Sequence, residues 1–186
     1  MNARSQGLVG GPPGDFFYLF IPNERHLALA DAPPDQDLGK RIRAGGWIAD
    51  WKILNFQLGP GLASDYLANS FAFRLCSDRL RNVLEEARGS VDMIQWLPAR
   101  VWERNGPELV YWVLHFPVVT PVTSASKTKM AGPVIVKAVL DANLVEGHRI
   151  FSFPNDSVSL VLARHVKEAI EKSGCTGTEF SKLPIA

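Results

Sequence analysis

Metal binding and acid–base catalysis most often use histidine, so the histidines are the first residues to consider. The chain has four of them: His26, His115, His148 and His165. None lies two to four residues from a second histidine or a cysteine, which is the spacing that zinc sites usually have. His115 falls in an apolar stretch, where a hydrogen-bonded core histidine is the commoner outcome. The sequence therefore predicts no metal site, no bound cofactor and no catalytic histidine.

Nucleophiles and phosphate-binding motifs lead to the same expectation. Cys76 and Cys175 are the two cysteines, too few for a disulfide framework in a chain of 186 residues, and we expect both to be free thiols. The early glycines at 7, 10, 11 and 14 do not form a phosphate loop, because no Gly-Lys-Ser/Thr follows them. A Gly-x-Ser-x-Gly nucleophile motif is also missing. We therefore expect a protein that is not an enzyme.

Composition and charge are those of an ordinary globular domain. The chain is 46% hydrophobic and 21% charged, with a net charge of +1. Such a weak field does not favour binding to nucleic acid or to an acidic membrane surface. The N-terminal segment is rich in glycine and proline and lacks the apolar core of a signal peptide. We expect a flexible segment over 1–14, one domain over 15–186 and a cytoplasmic location.

The elements that would position a functional residue are mainly strands. Polar stretches at 30–41 and 120–133 predict loops. The Asn105-Gly106 dipeptide tolerates positive φ and predicts the turn of a hairpin. Apolar and aromatic runs predict strands over 15–22, 51–58, 71–75, 92–102, 108–119 and 134–141.

A strand–helix–strand pattern occurs twice. In the first unit Ser77 is a good N-cap, an apolar stripe that includes Leu80 follows at helical spacing, and Gly89 is placed to end the helix in a left-handed conformation. In the second unit Val166 takes the place of Leu80, 86 residues later, and Gly174 ends the helix. This agreement fits either a true repeat or a chance match between two amphipathic helices. In both cases the predicted fold class is α+β: a single domain of mostly antiparallel strands with two amphipathic helices.

Five segments, in order and spacing, carry a family resemblance: FRLCSDRLRNVLEEA, DMIQWLPARV, YWVLHFPVV, GHRIFSF and LVLARHVKEAIEKSGCTGTEFSKL. They resemble the Imm11 family, formerly a domain of unknown function, which consists of myxobacterial-type immunity proteins of polymorphic toxin systems. The resemblance covers about 51–186, is clearest from Phe71 onwards, and is most specific in GHRIF and SGCTGTEF. It implies a protein that binds and neutralises a toxin encoded next to it. It implies no catalytic residue, since the shared motifs consist of helix caps, helix faces and strand residues.

If the motifs are scaffold, the partner-binding residues should lie on the connecting loops. Two tryptophans are expected to be partly exposed, Trp102 beside the hairpin turn and Trp47 in a glycine-flanked loop, and exposed tryptophans often anchor protein interfaces. Three loops are candidates: the hairpin tip with Trp102, Glu103 and Asn105, the 120–133 loop with Lys127 and Lys129, and an acidic loop with Asp31, Asp35 and Asp37.

Two other functions remain open at this point. A small-molecule-binding domain or an enzyme of unknown reaction would need a deep pocket with two or more convergent ionisable groups. A structural homo-oligomer would form by pairing of sheet edges. The sequence does not determine the oligomeric state.

Overall fold

The computed structural model describes residues 14–32, 36–103, 106–119, 121–132, 134–154 and 158–186. In these residues the chain forms three helices and a larger number of strands, with 36% strand and 16% helix. None of the described helices is long and apolar enough to cross a membrane. The elements in chain order are β1 (Phe16–Phe20), β2 (Leu29–Asp31), α1 (Gln36–Ala44), β3 (Leu54–Leu58), β4 (Tyr66–Asn69), β5 (Leu75–Ser77), α2 (Asp78–Ala87), β6 (Gln95–Trp102), β7 (Glu108–His115), β8 (Lys129–Ala131), β9 (Val134–Lys137), β10 (Ile150–Phe151), β11 (Leu160–Ala163), α3 (Arg164–Lys172) and β12 (Glu179–Leu183).

The first half of the chain builds a closed barrel in the order β2-β3-β6-β7-β5-β4. The β2–β4 and β3–β6 pairs are parallel, and the remaining pairs are antiparallel. Along β6 and β7, alternate side chains point into the barrel, as the two-residue period of a strand requires. The interior is therefore apolar and includes Phe56, Leu75, Leu97, Val101 and Val113.

The second half of the chain, together with the N-terminal strand β1, forms an antiparallel four-stranded sheet in the order β10-β11-β1-β12. Helices α2 and α3 pack against each other beside it. A second core combines sheet residues such as Leu19 and Leu162 with Leu84 of α2 and Ile170 of α3. Leu114, which points out of the barrel, joins the same core. The outer face of the barrel thus packs against the helices and the sheet, and the α+β fold class is confirmed.

The two strand–helix–strand units have the same topology. In the first unit β5 and β6 both pair with β7, and in the second β11 and β12 both pair with β1. All four pairings are antiparallel, so the two strands of each unit run parallel to each other on either side of a third strand. The helices begin at Asp78 and Arg164, which are 86 residues apart. The predicted unit is therefore present twice.

The predicted helix ends are correct in part. Ser77 caps α2, since its hydroxyl accepts a hydrogen bond from the N–H of Leu80 at 3.3 Å. Gly174 adopts the expected left-handed conformation, with φ of 65°. The prediction for Gly89 is wrong, because α2 ends at Arg88 in extended backbone and Gly89 is not left-handed. Gly89 is needed for close packing instead, since a Cβ there would lie 2.8 Å from the carbonyl oxygen of Gly147.

Three local predictions need correction. The polar stretch at 30–41 is not one loop: it holds part of β2, and the helix α1 begins in it, because burial of Ile42 against the barrel core favours a helix despite Gly39. The strand predicted over 71–75 begins only at β5, since Ala72 has φ of 54° and interrupts the extended chain. The loop predicted over 120–133 contains β8, which pairs with β9.

The GHRIF segment, 147–151, holds the second half of the chain to the first through Asp92. The buried carboxylate of Asp92 accepts hydrogen bonds from the N–H groups of Gly89 (2.7 Å), Arg149 (3.2 Å) and Ile150 (3.0 Å). His148 Nδ1 lies 3.1 Å from the other oxygen and must carry the proton, because a carboxylate only accepts. This segment therefore surrounds a carboxylate with backbone donors, and its role is structural.

The SGCTGTEF segment makes an equivalent contact with Asp65. This carboxylate accepts hydrogen bonds from the Ser77 hydroxyl (2.6 Å) and from the N–H (2.9 Å) and hydroxyl (3.0 Å) of Thr176. Burial acts to raise the pKa of Asp65, but these hydrogen bonds and the nearby Arg79 guanidinium lower it overall. Asp65 therefore ties the start of β4 to the N-terminus of α2 and to the loop after α3.

Candidate interaction surfaces

Two of the predicted partner-binding residues lie in one row at an end of the barrel. Asp31 pairs with Gln57, Gln57 pairs with Trp102, and Trp102 pairs with Glu108 on four adjacent strands. All four side chains are exposed, because they point away from the barrel interior. The row brings together side chains that are far apart in sequence. We call the surface formed by Leu29, Asp31, Gln57, Leu62, Trp102 and Glu103 the rim.

Hydrogen bonds hold the indole of Trp102 against the neighbouring strand. Its Nε1–H donates to Asn55 Oδ1 at 3.4 Å, and the Gln57 side-chain amide donates to the Trp102 carbonyl at 2.8 Å. Arg100 pairs with Glu108 at 3.2 Å, which leaves Asp31 and Glu103 as the charges of the rim. This end of the barrel therefore combines an oriented aromatic side chain with two carboxylates.

An open cleft of about 810 Å³ adjoins the rim. It is lined by the 57–62 segment and by Glu103. Leu62 lines the cleft and is 66% exposed, while Leu29 (51% exposed) and Trp102 (39% exposed) lie on the adjoining strands of the rim. Apolar side chains beside a recess with a carboxylate are features of protein-binding surfaces.

Lys127 and Lys129 lie on a different part of the molecule. The two-stranded β8–β9 hairpin is a separate sheet from the barrel. Its register places Lys129 directly opposite Lys137, although like charges in that position destabilise a hairpin. Met130 and Val136 are exposed on the same hairpin. The structure thus divides the predicted binding residues between an acidic rim and a basic hairpin.

The remaining predicted residues have no described side chains. Asp35 and Asn105 lie outside the described residues, and so does the side chain of Asp37, whose backbone belongs to α1. The acidic loop is therefore represented by Asp31 alone, which is the last residue of β2.

Sequence reasoning named Trp47 as partly exposed but did not assign it to a site. Its side chain is 61% exposed in the loop between α1 and β3, and it lines a recess of about 300 Å³ with Met93. The signal in the sequence was the Gly45-Gly46 pair, and both glycines are left-handed, with φ of 74° and 82°. This surface is separate from the residues that were predicted to bind a partner.

Three further titratable groups, Cys76, Cys175 and His115, are buried or half-buried. Within the described ranges no three His, Cys, Asp or Glu side chains are arranged to hold a metal ion. Burial raises the pKa of the Cys76 thiol far above its ordinary value and that of Cys175 to about 11, so neither thiol is ionised at neutral pH. Burial lowers the pKa of His115, whose Nε2–H donates to the Gly46 carbonyl at 2.7 Å. These groups are protonated or neutral because of their packing.

Models of known protein families give no match to this chain, and curated proteins give no significant match. The chain is an α+β protein in which a closed six-stranded barrel packs against a four-stranded sheet and two helices.

Proposed function

We propose that this chain is an immunity protein, which binds a toxin encoded next to it and neutralises that toxin by covering its active site or an essential surface. The sequence resemblance suggests the biological role. The observation that carries the proposal is the rim, where Trp102, two carboxylates and exposed leucines adjoin an open cleft that Leu62 and Glu103 line. Aromatic side chains of this kind contribute a large part of the energy of protein interfaces.

The charge of the rim indicates the kind of surface that it would bind. Asp31 and Glu103 are its two charges, and Glu103 lines the cleft. A basic loop of the toxin would fit this arrangement, because a Lys or Arg side chain in the cleft would reach the Glu103 carboxylate. A tight complex would bury about 800 Å² on each partner, so the contact would extend beyond the rim onto the neighbouring strands.

The first test is expression of the neighbouring open reading frame in a test host, with and without this chain. The proposal requires that the neighbour stops growth, that this chain restores it, and that the two proteins co-purify. A neighbour that is harmless, or that is rescued without forming a complex, would refute it. Neutralisation by binding also requires that growth rescue and complex formation are lost together in the same variants.

The second test locates the contact. We expect the double substitution W102S/E103K to weaken the complex by about thirtyfold or more, since loss of one interface anchor costs about 2 kcal/mol. The control is E168K, which makes the same charge reversal at an exposed position of α3. If the complex forms but neither variant weakens it, the toxin binds elsewhere and the rim has no part in recognition.

The size of the cleft supports one second candidate, a small-molecule-binding domain. Its volume of about 810 Å³ is in the range of ligand pockets. Glu103 is, however, its one ionisable side chain among the described lining residues, and acid–base catalysis needs at least two converging groups. A ligand screen by thermal shift tests this candidate, with E103Q as the variant that should lose any hit that binds in the cleft.

A further inference from the structure

A second exposed apolar surface surrounds Trp47. Trp47 and Met93 line one recess, and Met93, Val91 and Val118 line the recess next to it. Trp47 is 61% exposed, Val91 48%, Met93 42% and Val118 56%. We call these four residues the Trp47 patch. Single exposed apolar residues are ordinary, but a cluster that includes tryptophan is typical of a binding surface.

The loop that carries Trp47 is held on both sides of the tryptophan. Before it, Gly46 accepts a hydrogen bond from His115 Nε2 at 2.7 Å, and the Gly46 N–H donates to Pro117 at 2.7 Å. After it, the N–H and the carbonyl of Ile48 both bond the side-chain amide of Gln95, at 3.0 and 2.8 Å. The backbone on either side of an exposed tryptophan is thus held by the buried His115 and Pro117 and by the half-buried Gln95.

This support reduces the conformational entropy that the Trp47 loop would lose when a partner binds. A tryptophan on a mobile loop must be ordered when a complex forms, whereas Trp47 is already held in position on its backbone. His115 takes part in this support although it is fully buried and its Nδ1 has no hydrogen-bond partner in the described structure. A buried polar side chain of β7 therefore supports the backbone next to the exposed Trp47.

Two arginines, Arg88 and Arg149, lie at the Trp47 recess. Arg88 and Asp92 are the charged residues that line the Trp47 recess, but the Asp92 side chain is fully buried among its donors. Arg149 lies beside the same recess, because a Cβ on Gly89 would be 3.3 Å from its side chain. Arg88 is paired with Glu85 at 3.3 Å, which leaves Arg149 as the charge best placed to meet a ligand. The same patch of a second copy does not complement it, since arginines would face arginines.

We propose that the Trp47 patch is a docking site for a short protein segment that carries both apolar side chains and carboxylates. The recess of about 300 Å³ accepts one apolar side chain of the segment, and Arg149 binds a neighbouring carboxylate. Four exposed apolar residues are too small a surface for a complete domain interface, which requires about 800 Å² on each side, but they are sufficient for a peptide segment. The proposal does not depend on toxin neutralisation, because it concerns a different surface and an opposite charge from the rim.

The methionines allow a direct test. The chain has three of them, and Met93 lies in the patch while Met130 lies on β8, away from it. Protein labelled with 13C at the methionine methyl groups therefore reports binding at the patch and at the hairpin by separate NMR signals. The probes are two peptides of about ten residues with the same leucines and phenylalanines, one with glutamates and the other with lysines at the remaining positions.

We expect the glutamate peptide to move the Met93 signal saturably while the Met130 signal stays in place. The lysine peptide should bind at least about tenfold more weakly, because it meets Arg149 with the same charge. W47S should weaken binding of the glutamate peptide by about thirtyfold, and R149E should reverse the preference between the two peptides. R149E changes an exposed side chain, so it keeps the test valid if W47S were to disturb the fold.

Three results would overturn the proposal. The first is a Met93 signal that the glutamate peptide does not move, and the second is equal binding of both peptides. The third is a Met93 signal that depends on protein concentration in the absence of peptide, which would identify a second copy of the chain as the occupant. Failure of the toxin experiment leaves these outcomes unchanged, so the two proposals fail separately.

Discussion

Replacement of Asp92 by alanine should destabilise the protein more than any other single carboxylate replacement that the structure suggests. The side chain is fully buried, and it accepts hydrogen bonds from three backbone N–H groups and from His148. Alanine removes every acceptor and leaves the donors in place. Two of these donors belong to buried residues, Gly89 and Ile150.

The size of the effect follows from those donors. A buried donor without a partner costs about 1–3 kcal/mol, so the two buried N–H groups alone give about 2–6 kcal/mol. The variant no longer buries a charge, which offsets part of this cost, and we expect a loss of about 4 kcal/mol. In a domain whose total stability is about 5–15 kcal/mol, this lowers the melting temperature by roughly 8–16 °C. Asp92→Asn keeps one acceptor oxygen and should lose about half as much.

The assay is urea unfolding followed by circular dichroism, with Glu86→Gln as the control. Glu86 is exposed on α2, so its replacement removes one carboxylate charge without removing buried acceptors and should change stability by less than about 0.5 kcal/mol. Amide exchange at Gly89 and Ile150 should accelerate in the Asp92→Ala protein, because these donors lose their acceptor. A loss below about 1 kcal/mol in Asp92→Ala would refute the reasoning, since the carboxylate would then contribute no net stability.

Three further predictions concern protonation. The pKa of Asp65 is lower in the folded chain than its ordinary value of 3.8. The ionised carboxylate therefore stabilises the fold fully above about pH 3.8, and this stabilisation is lost as the pH falls through the folded-state pKa. Asp65→Asn should lose stability at pH 7 and show a weaker dependence of stability on pH in the acid range. The pKa of His115 in the folded chain lies below its ordinary value of 6.5. As the pH falls, the unfolded chain therefore gains the proton first, and the stability of the fold declines below about pH 6.5. Urea unfolding at a series of pH values should show a smaller decline for His115→Gln. Burial raises the pKa of both thiols, so iodoacetamide at pH 8 should modify Cys76 and Cys175 rapidly only after the protein is unfolded. Mass spectrometry measures this modification, and fast labelling of Cys76 in the native protein would contradict its burial.

Local patterns predicted those parts of the fold that depend on local interactions. The β6–β7 hairpin follows from two apolar runs around Asn-Gly. Helix α2 follows from the Ser77 cap and an apolar stripe, and α3 follows from an apolar stripe and the left-handed Gly174. The closed barrel could not be predicted in this way. It depends on the parallel pairing of β3 with β6 and of β2 with β4, which joins residues about 40 positions apart without any local signal.

The same distinction applies to the candidate surfaces. Trp102 and Glu103 were found because they adjoin a turn that the sequence marks clearly. Their position beside Asp31 depends on β3, which lies between β2 and β6 and supplies Gln57 to the row. The exposure of Trp47 was predicted from its flanking glycines, but the support of its loop was not, because His115 and Gln95 are far from it in sequence.

The positions of the motifs explain why a resemblance in sequence indicates the fold of a chain more readily than the partner that the chain binds. GHRIF and SGCTGTEF meet the two carboxylates Asp92 and Asp65, and changes in these contacts disturb the junction between the barrel and the sheet. The rim and the Trp47 patch consist of exposed side chains, most of which can change at a cost of about 0.5 kcal/mol or less. Chains with these motifs can therefore share one scaffold while their exposed surfaces differ, and the partner of each must be identified from its own surface.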